Sequence, residues 1–361
     1  MYDIKKNKPR QREKMKKIIL LMLSLFLTTC DNPNTTANEQ QENTSWVFVA
    51  NEGDLGASNG TISMIDDFGD VFETDALGEI VNSVEVYENK LIVLINGGQN
   101  QSPEDSKIKI YNINEDGLSM PGIQISTNNS SPRDLVVLND KVYFTNWNTQ
   151  DVKVFDLFNY TIETSISVNG LPENIEFDGQ YLWITIPHSE GSPDWNIGST
   201  ICKIDPNTNS LIETIEVGEG PQGIAFKDGE VYVSRTFYDE NWNPFHGVTK
   251  IGSEITGNIY GAGTPCGGTI LKHQNVIYRS FDGGLCPMNV DLSLDVENKF
   301  GNYDQSLVYH VEEINGNIWF ALTSFVEDYN EIKVVDSFGI EINSYQVGKF
   351  PGDFAFWTMN D

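Results

Sequence analysis

An internal repeat of about 43 residues limits what this chain can fold into more than any other feature of its sequence. Each copy combines an apolar strand, a turn of the Asp/Asn-Gly type and an aromatic-rich strand, and a third and a fourth strand follow, as at Val152 and Ile201. Four short strands per repeat, with no sustained helical period, predict a β-propeller. The copies begin at Ser131, Leu171, Gly220, Val81, Thr264 and Gln305.

The two ends of the chain complete one further copy of the repeat. The segment PGDFAFW from Pro351 matches only the first strand, and the segments from Trp46, Gly60 and Asp70 supply the other three. Sharing a blade between the termini removes exposed sheet edges. The sequence therefore predicts an all-β, seven-bladed propeller of four-stranded antiparallel blades, closed by N- and C-terminal strands. Its first strands begin at Val81, Pro132, Pro172, Pro221, Pro265, Gln305 and Pro351.

The N-terminal region has the pattern of an export signal. Eight basic residues precede an apolar run from Ile18 to Leu27, which is too short to span a membrane. The run ends in Leu-Thr-Thr-Cys30, which resembles a bacterial lipobox, and a polar segment follows. We expect a lipoprotein signal peptide at 1–29, lipidation of Cys30, a disordered tether at 30–45 and the propeller at 46–361. Translation could also start at Met15, which opens a complete signal peptide.

The chain is strongly acidic, with a formal net charge of −29. The predicted signal peptide holds eight basic and two acidic residues, so its removal would take the charge to −35. Such a charge excludes nucleic acid as a partner and disfavours docking on anionic headgroups, which leaves a lipid anchor as the membrane attachment. The acidic side chains could keep the protein soluble, or they could bind calcium, although no EF-hand loop is present in the sequence.

The segment Ile204–Phe226, IDPNTNSLIETIEVGEGPQGIAF, resembles the consensus of YVTN-type β-propellers. The opening from Val47, VFVANEGDLGASNGTISMID, resembles propeller lipoproteins on the surface of Bacteroidota, some of which capture cobalamin for a TonB-dependent transporter. This resemblance implies a protein of the outer membrane, exposed at the cell surface. It also implies a small organic ligand, with a corrinoid as one candidate, and an outer-membrane transporter as partner.

The expected ligand site is the top face, where first strands begin and second strands end. Loops at such positions commonly carry function, and aromatic, Arg, Asn and Asp side chains suit a flat organic ligand. Arg235 and Arg279 are expected to point toward the channel, where they could hold a carboxylate or phosphate. The predicted ligand-binding residues are Arg133, Asp134, Trp147, Glu173, Asn174, His188, Trp195, Gln222, Arg235, Tyr238, Trp242 and Arg279.

Two other functions stay open at the level of sequence. A metal-assisted lyase or hydrolase would use His188 and His246, and NIWFALTSF from Asn317 is faintly similar to propeller lyases. A scaffold that contacts another protein through the same face is the other alternative. No catalytic or metal-binding motif appears, so a non-catalytic binding protein without cofactor or metal is expected.

Two of the four cysteines are expected to pair. Cys30 is assigned to the lipid and Cys202 lies in a predicted strand, which leaves Cys266 and Cys286 on the top face of one blade. An exported protein can form disulfides, and a short loop of this kind would stabilise the fold by about 3 kcal/mol.

Overall fold

The computed structural model describes residues 44–98, 105–189, 197–264 and 268–359. Within these ranges 27 strands, numbered β1 to β27 in chain order, form seven antiparallel sheets. The predicted seven-bladed propeller is confirmed. No helix in the described part of the chain is long and apolar enough to cross a membrane.

The blades are numbered from the one that contains both termini, and their strands are given from the axis outward. Blade 1 contains β27 (Pro351–Thr358), β1 (Ser45–Asn51), β2 (Thr61–Asp66) and β3 (Val71–Glu73). Blade 2 contains β4 (Ile80–Tyr87), β5 (Lys90–Asn96), β6 (Lys107–Asn114) and β7 (Gly117–Ser126). Blade 3 contains β8 (Pro132–Leu138), β9 (Lys141–Asn146), β10 (Asp151–Asp156) and β11 (Thr161–Ser167).

The remaining blades follow in chain order. Blade 4 contains β12 (Ile175–Phe177), β13 (Leu182–His188), β14 (Ile197–Asp205) and β15 (Ser210–Glu216). Blade 5 contains β16 (Pro221–Lys227), β17 (Glu230–Tyr238), β18 (Pro244–Ile251) and β19 (Ile255–Ala262). Blade 6 contains β20 (Ile270–His273), β21 (Val276–Phe281) and β22 (Gly284–Pro287), and blade 7 contains β23 (Val308–Ile314), β24 (Asn317–Thr323), β25 (Asn330–Val335) and β26 (Glu341–Gln346).

The ring closes through β27 and β1, as the split repeat predicts. These strands are antiparallel, with Trp46 opposite Trp357 and Val49 opposite Phe354. Asp228-Gly229 has two positive φ angles, +52° and +78°, which fits the tight hairpin expected between the first and second strands of a blade.

Within each four-stranded blade, the second strand is more buried than the outermost strand. The second strands β5 and β24 are almost entirely buried because neighbouring blades cover both of their faces, whereas the outer strands β3 and β15 are largely exposed. Core clusters therefore lie between adjacent blades, as where Val49, Trp319 and Phe354 join blades 7 and 1.

Blade 6 departs from the four-stranded pattern among the described residues. Its outer position holds a turn and a short 3-10 helix, Val296–Asn298, attached through the isolated pairs Leu285–Phe300 and Met288–Leu294. Its repeat copy is among the weakest in the sequence, which agrees with the missing strand.

Candidate functional site

The innermost strands enclose an axial cavity of about 650 Å³. Seven equivalent strands surround the axis, so residues at the same position of each strand lie at the same depth, and we distinguish three layers. The mouth layer consists of Asn82, Arg133, Glu173, Gln222, Gly268, Tyr309 and Gly352. The middle layer consists of Ser83, Asp134, Asn174, Gly223, Thr269, His310 and Asp353, and the lower layer of Glu85, Val136, Glu176, Leu271 and Glu312.

An ion pair with an aromatic wall occupies one side of the mouth. Arg133 Nη2 donates to Glu173 Oε1 at 2.7 Å, Arg133 Nε lies 3.1 Å from both carboxylate oxygens, and Nη1 reaches Asn82 Oδ1 at 3.3 Å. The guanidinium carbon lies 4.4 Å from the ring centroid of Trp147. Burial alone would lower the pKa of Arg133, but Glu173 reverses this and raises it. Arg133 is therefore a fixed cation that is already neutralised.

Trp147 and His188 extend this wall from the ends of second strands. Their rings meet edge to face, with centroids 5.7 Å apart and planes at 83°. Burial lowers the pKa of His188 although Glu173 opposes this shift, so its imidazole is neutral at physiological pH. The side chains at this point can stack on a flat group and exchange hydrogen bonds with it.

A second aromatic cluster stands at the mouth beside blade 7. Tyr309 lines the cavity, and its ring centroid lies 6.1 Å from that of Phe325 and 5.9 Å from that of Phe350. Phe325 and Phe350 are 5.1 Å apart, and Phe325 is exposed. Sequence analysis missed this cluster because the repeat copy from Gln305 is weak. Aligning Tyr309-His310 with Arg133-Asp134 would have placed Tyr309 at the mouth.

Middle-layer side chains connect neighbouring blades. Asp134 accepts hydrogen bonds from Ile175 N at 3.0 Å and Asn174 Nδ2 at 2.8 Å, and Asn174 Oδ1 accepts from Ile224 N at 3.1 Å. Asp353 accepts from Val84 N at 2.8 Å. The predicted ligand residues Asp134 and Asn174 thus line the cavity, but they also hold the ring together.

Carboxyl groups dominate the chemistry of the cavity. Seven of its described lining residues are acidic, while Arg133, His188 and His310 are the basic ones. Burial, together with the neighbouring carboxyls, raises the pKa of four of these acids to about 8, namely Glu85, Glu176, Glu312 and Asp353. Burial raises the pKa of Asp134 and Glu52 as well. Without a bound cation, the lower half of the cavity therefore retains protons at neutral pH.

Several predicted ligand residues do not line the cavity. The side chain of Arg279 is fully buried and donates to the carbonyls of Gly247 at 3.1 Å and Arg235 at 2.9 Å. Burial lowers its pKa to about 10. The expectation that Arg279 faces the channel is wrong, because side chains at the end of this second strand pack against the neighbouring blade.

Arg235, Tyr238 and Trp242 also lie outside the cavity lining. The Arg235 guanidinium carbon lies 5.3 Å from the ring centroid of Phe237, and burial lowers the Arg235 pKa. Tyr238 at the end of β17 contacts Trp242 on the β17–β18 loop, with ring centroids 6.1 Å apart, and Trp242 is 67% exposed. Gln222, by contrast, lines the mouth and accepts a hydrogen bond from Thr236 Oγ1 at 2.9 Å.

The structure does not bring His188 and His246 into one site. His246 is 1% exposed, its Nε2 lies 3.0 Å from the Thr264 carbonyl, and its Nδ1 lies 3.4 Å from Arg279 Nη1. Burial lowers its pKa to about 4. Since His246 is enclosed between blades, the predicted histidine pair for metal-assisted catalysis does not form.

Three predicted residues lie outside the described residues, namely Cys30, Trp195 and Cys266. Cys286 is buried in β22, its thiol is free in the described part of the chain, and its Sγ lies 3.5 Å from the Phe281 carbonyl. Burial raises the pKa of this thiol to about 11. The pairing of Cys266 with Cys286 stays a prediction.

No family model matches the sequence, and a search of curated proteins finds no match to it. The fold is similar to that of a Bacteroides fragilis protein provisionally assigned as a 6-phosphogluconolactonase, with a TM-score of 0.60 at 14% identity over 90% of this chain and 100% of that one. Apo AztD from Citrobacter koseri gives a TM-score of 0.52 at 10% identity, covering 88% and 98% of the two chains. The computationally designed Ika8 protein gives 0.52 at 12% identity, covering 82% and 85%. At these identities the similarity shows the propeller fold alone.

Proposed function

We propose that this protein binds a small organic ligand at the mouth of the axial cavity. The observation that carries the proposal is the presence of two aromatic walls at the mouth, which also holds the Arg133–Glu173 pair. Trp147 packs against Arg133 in one wall, and Tyr309 packs against Phe325 in the other. A cavity of about 650 Å³ lies within the range of small-molecule sites, which is roughly 300–1,000 Å³.

The charge of the cavity indicates the chemical class of the ligand. Glu173 already neutralises Arg133, and six further carboxyl groups line the space below and beside it. A dianionic ligand would meet no unpaired cation among the described lining residues, whereas amines and amides can donate hydrogen bonds to Glu52, Glu173 and Gln222. We infer a neutral or cationic ligand with a flat apolar portion and several N–H donors.

A corrinoid is a narrower form of this proposal. Its peripheral amides match the acceptors at the mouth and its flat ring matches the aromatic walls. It is far larger than a drug-sized ligand, so it would lie across the mouth and against Phe325 rather than enter the cavity.

Location and partner belong to the same proposal and are supported by sequence alone. The lipobox at Cys30 and the acidic, polar tether favour a lipoprotein of the outer membrane at the cell surface, which passes its ligand to a TonB-dependent transporter. Metabolic labelling with a fatty-acid analogue should mark the protein, and Cys30→Ala should abolish the label. Label that persists in the variant would show that the anchor is attached elsewhere.

Calorimetry of the purified protein tests the ligand class. The probes are cobalamin, an aromatic monoamine, an aromatic amide and an aromatic dicarboxylate of similar size. We expect the amine, the amide or cobalamin to bind and the dicarboxylate to bind at least tenfold more weakly. Preferred binding of the dicarboxylate, or binding of none of the four probes, would contradict the proposal.

Two tyrosines provide matched variants for the location of the site. Tyr309 lines the mouth, whereas Tyr238 lies at the end of β17, outside the cavity lining. Tyr309→Ala should weaken binding of the best probe at least tenfold, and Tyr238→Ala should leave it within twofold. Equal losses in both variants would place the ligand on the loops instead.

A further inference from the structure

Three metal-ligating side chains converge deeper in the cavity, where blades 7 and 1 meet. One ligand atom from each of His310, Glu312 and Asp353 lies within 4.8 Å of the other two. His310 Nε2 is 3.4 Å from Glu312 Oε2. His310 and Glu312 belong to the first strand of blade 7, and Asp353 belongs to that of blade 1. Closure of the ring therefore brings together residues that are 43 positions apart in the sequence.

The ligand atoms retain capacity for a cation. Asp353 Oδ2 accepts from Val84 N and Ser83 Oγ, both at 2.8 Å, whereas Oδ1 accepts one bond, from Phe354 N at 2.9 Å. A carboxylate oxygen has two lone pairs, so Oδ1 keeps one for a metal. The bonds to Oδ2 also hold the carboxylate in place, as outer-shell partners do at metal sites.

The surroundings favour a positive charge at this point. Glu85, Glu176 and Asp134 line the same part of the cavity, no lysine is among its described lining residues, and Arg133 is paired with Glu173 one layer above. Glu85 Oε2 is buried without a hydrogen-bond partner among the described residues. Buried carboxyls without partners are unfavourable, and a bound cation would relieve their mutual repulsion.

We propose that His310, Glu312 and Asp353 form a binding site for Zn²⁺. One imidazole nitrogen and two carboxylate oxygens make a ligand set that suits zinc, whereas Ca²⁺ and Mg²⁺ take oxygen ligands. Bond lengths of about 2.0–2.2 Å put the ligand atoms of a zinc ion roughly 3–4 Å apart, so small side-chain rotations complete the site. Three protein ligands leave one position for solvent.

This site is separate from the proposed organic-ligand site. It uses the middle and lower layers, and none of its three ligands belongs to the mouth layer. Zinc binding can therefore be measured without any organic probe, and its failure would leave the proposal for the mouth untouched.

Isothermal titration of the chelator-treated protein with ZnCl₂ is the test. We expect one zinc per chain and at least tenfold weaker binding of CaCl₂ and MgCl₂. His310→Gln and Glu312→Gln should each weaken zinc binding at least tenfold. Replacement by Co²⁺ should give visible absorption bands that both variants lose.

Glu313→Gln is the matched control for Glu312→Gln. Glu313 is the next residue along β23 but pairs with His273 at 3.1 Å, away from the three ligands, so zinc affinity should stay within twofold of the parent. Near-ultraviolet circular dichroism of each variant verifies folding. Absence of zinc binding, tighter binding of calcium than zinc, or unchanged zinc affinity in both folded ligand variants would each overturn the proposal.

Discussion

Arg133 and Arg279 occupy two different environments in the same propeller. Arg133 lies on a first strand, faces the axial cavity and has a carboxylate partner, Glu173, at 2.7 Å. Arg279 lies on the second strand of blade 6, is fully buried and donates to backbone carbonyls of blade 5. The first strands of this propeller therefore present an arginine to an open cavity, as the proposed ligand site requires, whereas the second strand of blade 6 uses its arginine to join two blades.

The largest expected effect is on stability at the blade interface. Arg279→Ala should lower the free energy of unfolding by about 3–4 kcal/mol, because it opens a cavity between two blades and removes the donors of several buried acceptors. Urea denaturation measures the change. Arg279→Lys should also destabilise the protein, since an ammonium cannot reproduce the guanidinium fork. If Arg279→Ala lowered the free energy of unfolding by less than about 1 kcal/mol, Arg279 would contribute no more to stability than Arg133 does.

Replacement of Arg133 by alanine at the axis should affect ligand binding more than it affects the stability of the fold. Arg133→Ala should lower the free energy of unfolding by about 1–2 kcal/mol, because Glu173 loses its partner in a partly solvated cavity. The double variant with Glu173→Ala should recover part of this loss, which denaturation can show. Arg133 holds Glu173 and the Trp147 ring in place, so the affinity for a neutral probe should fall at least tenfold in Arg133→Ala, while folded Arg279→Lys should keep it within threefold.

A smaller effect is expected on the pH dependence of stability, through the carboxyl groups that line the axial cavity. Glu176 faces Asp134, Glu312, Glu85 and Asn174, and burial raises its pKa to about 8 from an ordinary 4.5. Protonated Glu176 thus stabilises the folded state fully below about pH 4.5, and this contribution is lost as the pH rises toward 8. With chelator present, Glu176→Gln should be more stable than the parent at pH 8 by on the order of 1 kcal/mol and equal to it at pH 5.

The matched control for this prediction is Glu213→Gln on the exposed outer strand β15. Because its side chain is exposed, this substitution should change the free energy of unfolding by less than about 0.5 kcal/mol at either pH. The opposite result is that the parent gains stability relative to Glu176→Gln between pH 5 and pH 8. That result would mean that Glu176 is ionised in the folded state.

The fold was predictable because blade repetition is a local pattern. Proline and hairpin signals marked the innermost strands, and PGDFAFW at Pro351 implied the β27–β1 closure that the structure has. The same pattern placed Arg133, Glu173 and Gln222 at the cavity, since the blades of a propeller surround a central channel and the first strand of each blade is the innermost one.

Much of the site was not predictable from that pattern. Arg279 and His246 lie on second and third strands, where the packing of the neighbouring blade decides which way a side chain points. His310 and Asp353 were missed because they belong to a weak repeat copy and to the closing strand. Their proximity depends on ring closure, which no local spacing in the sequence expresses.

Two tryptophans provide the most direct test of binding at the axial cavity. Trp147 forms a wall of the mouth, 4.4 Å from Arg133, whereas Trp242 is exposed on a loop outside the cavity. Calorimetry with the best organic probe should show at least a tenfold loss of affinity for Trp147→Ala and less than a twofold change for Trp242→Ala. Equal affinity in the parent and Trp147→Ala, with a loss in Trp242→Ala, would contradict binding at the axis.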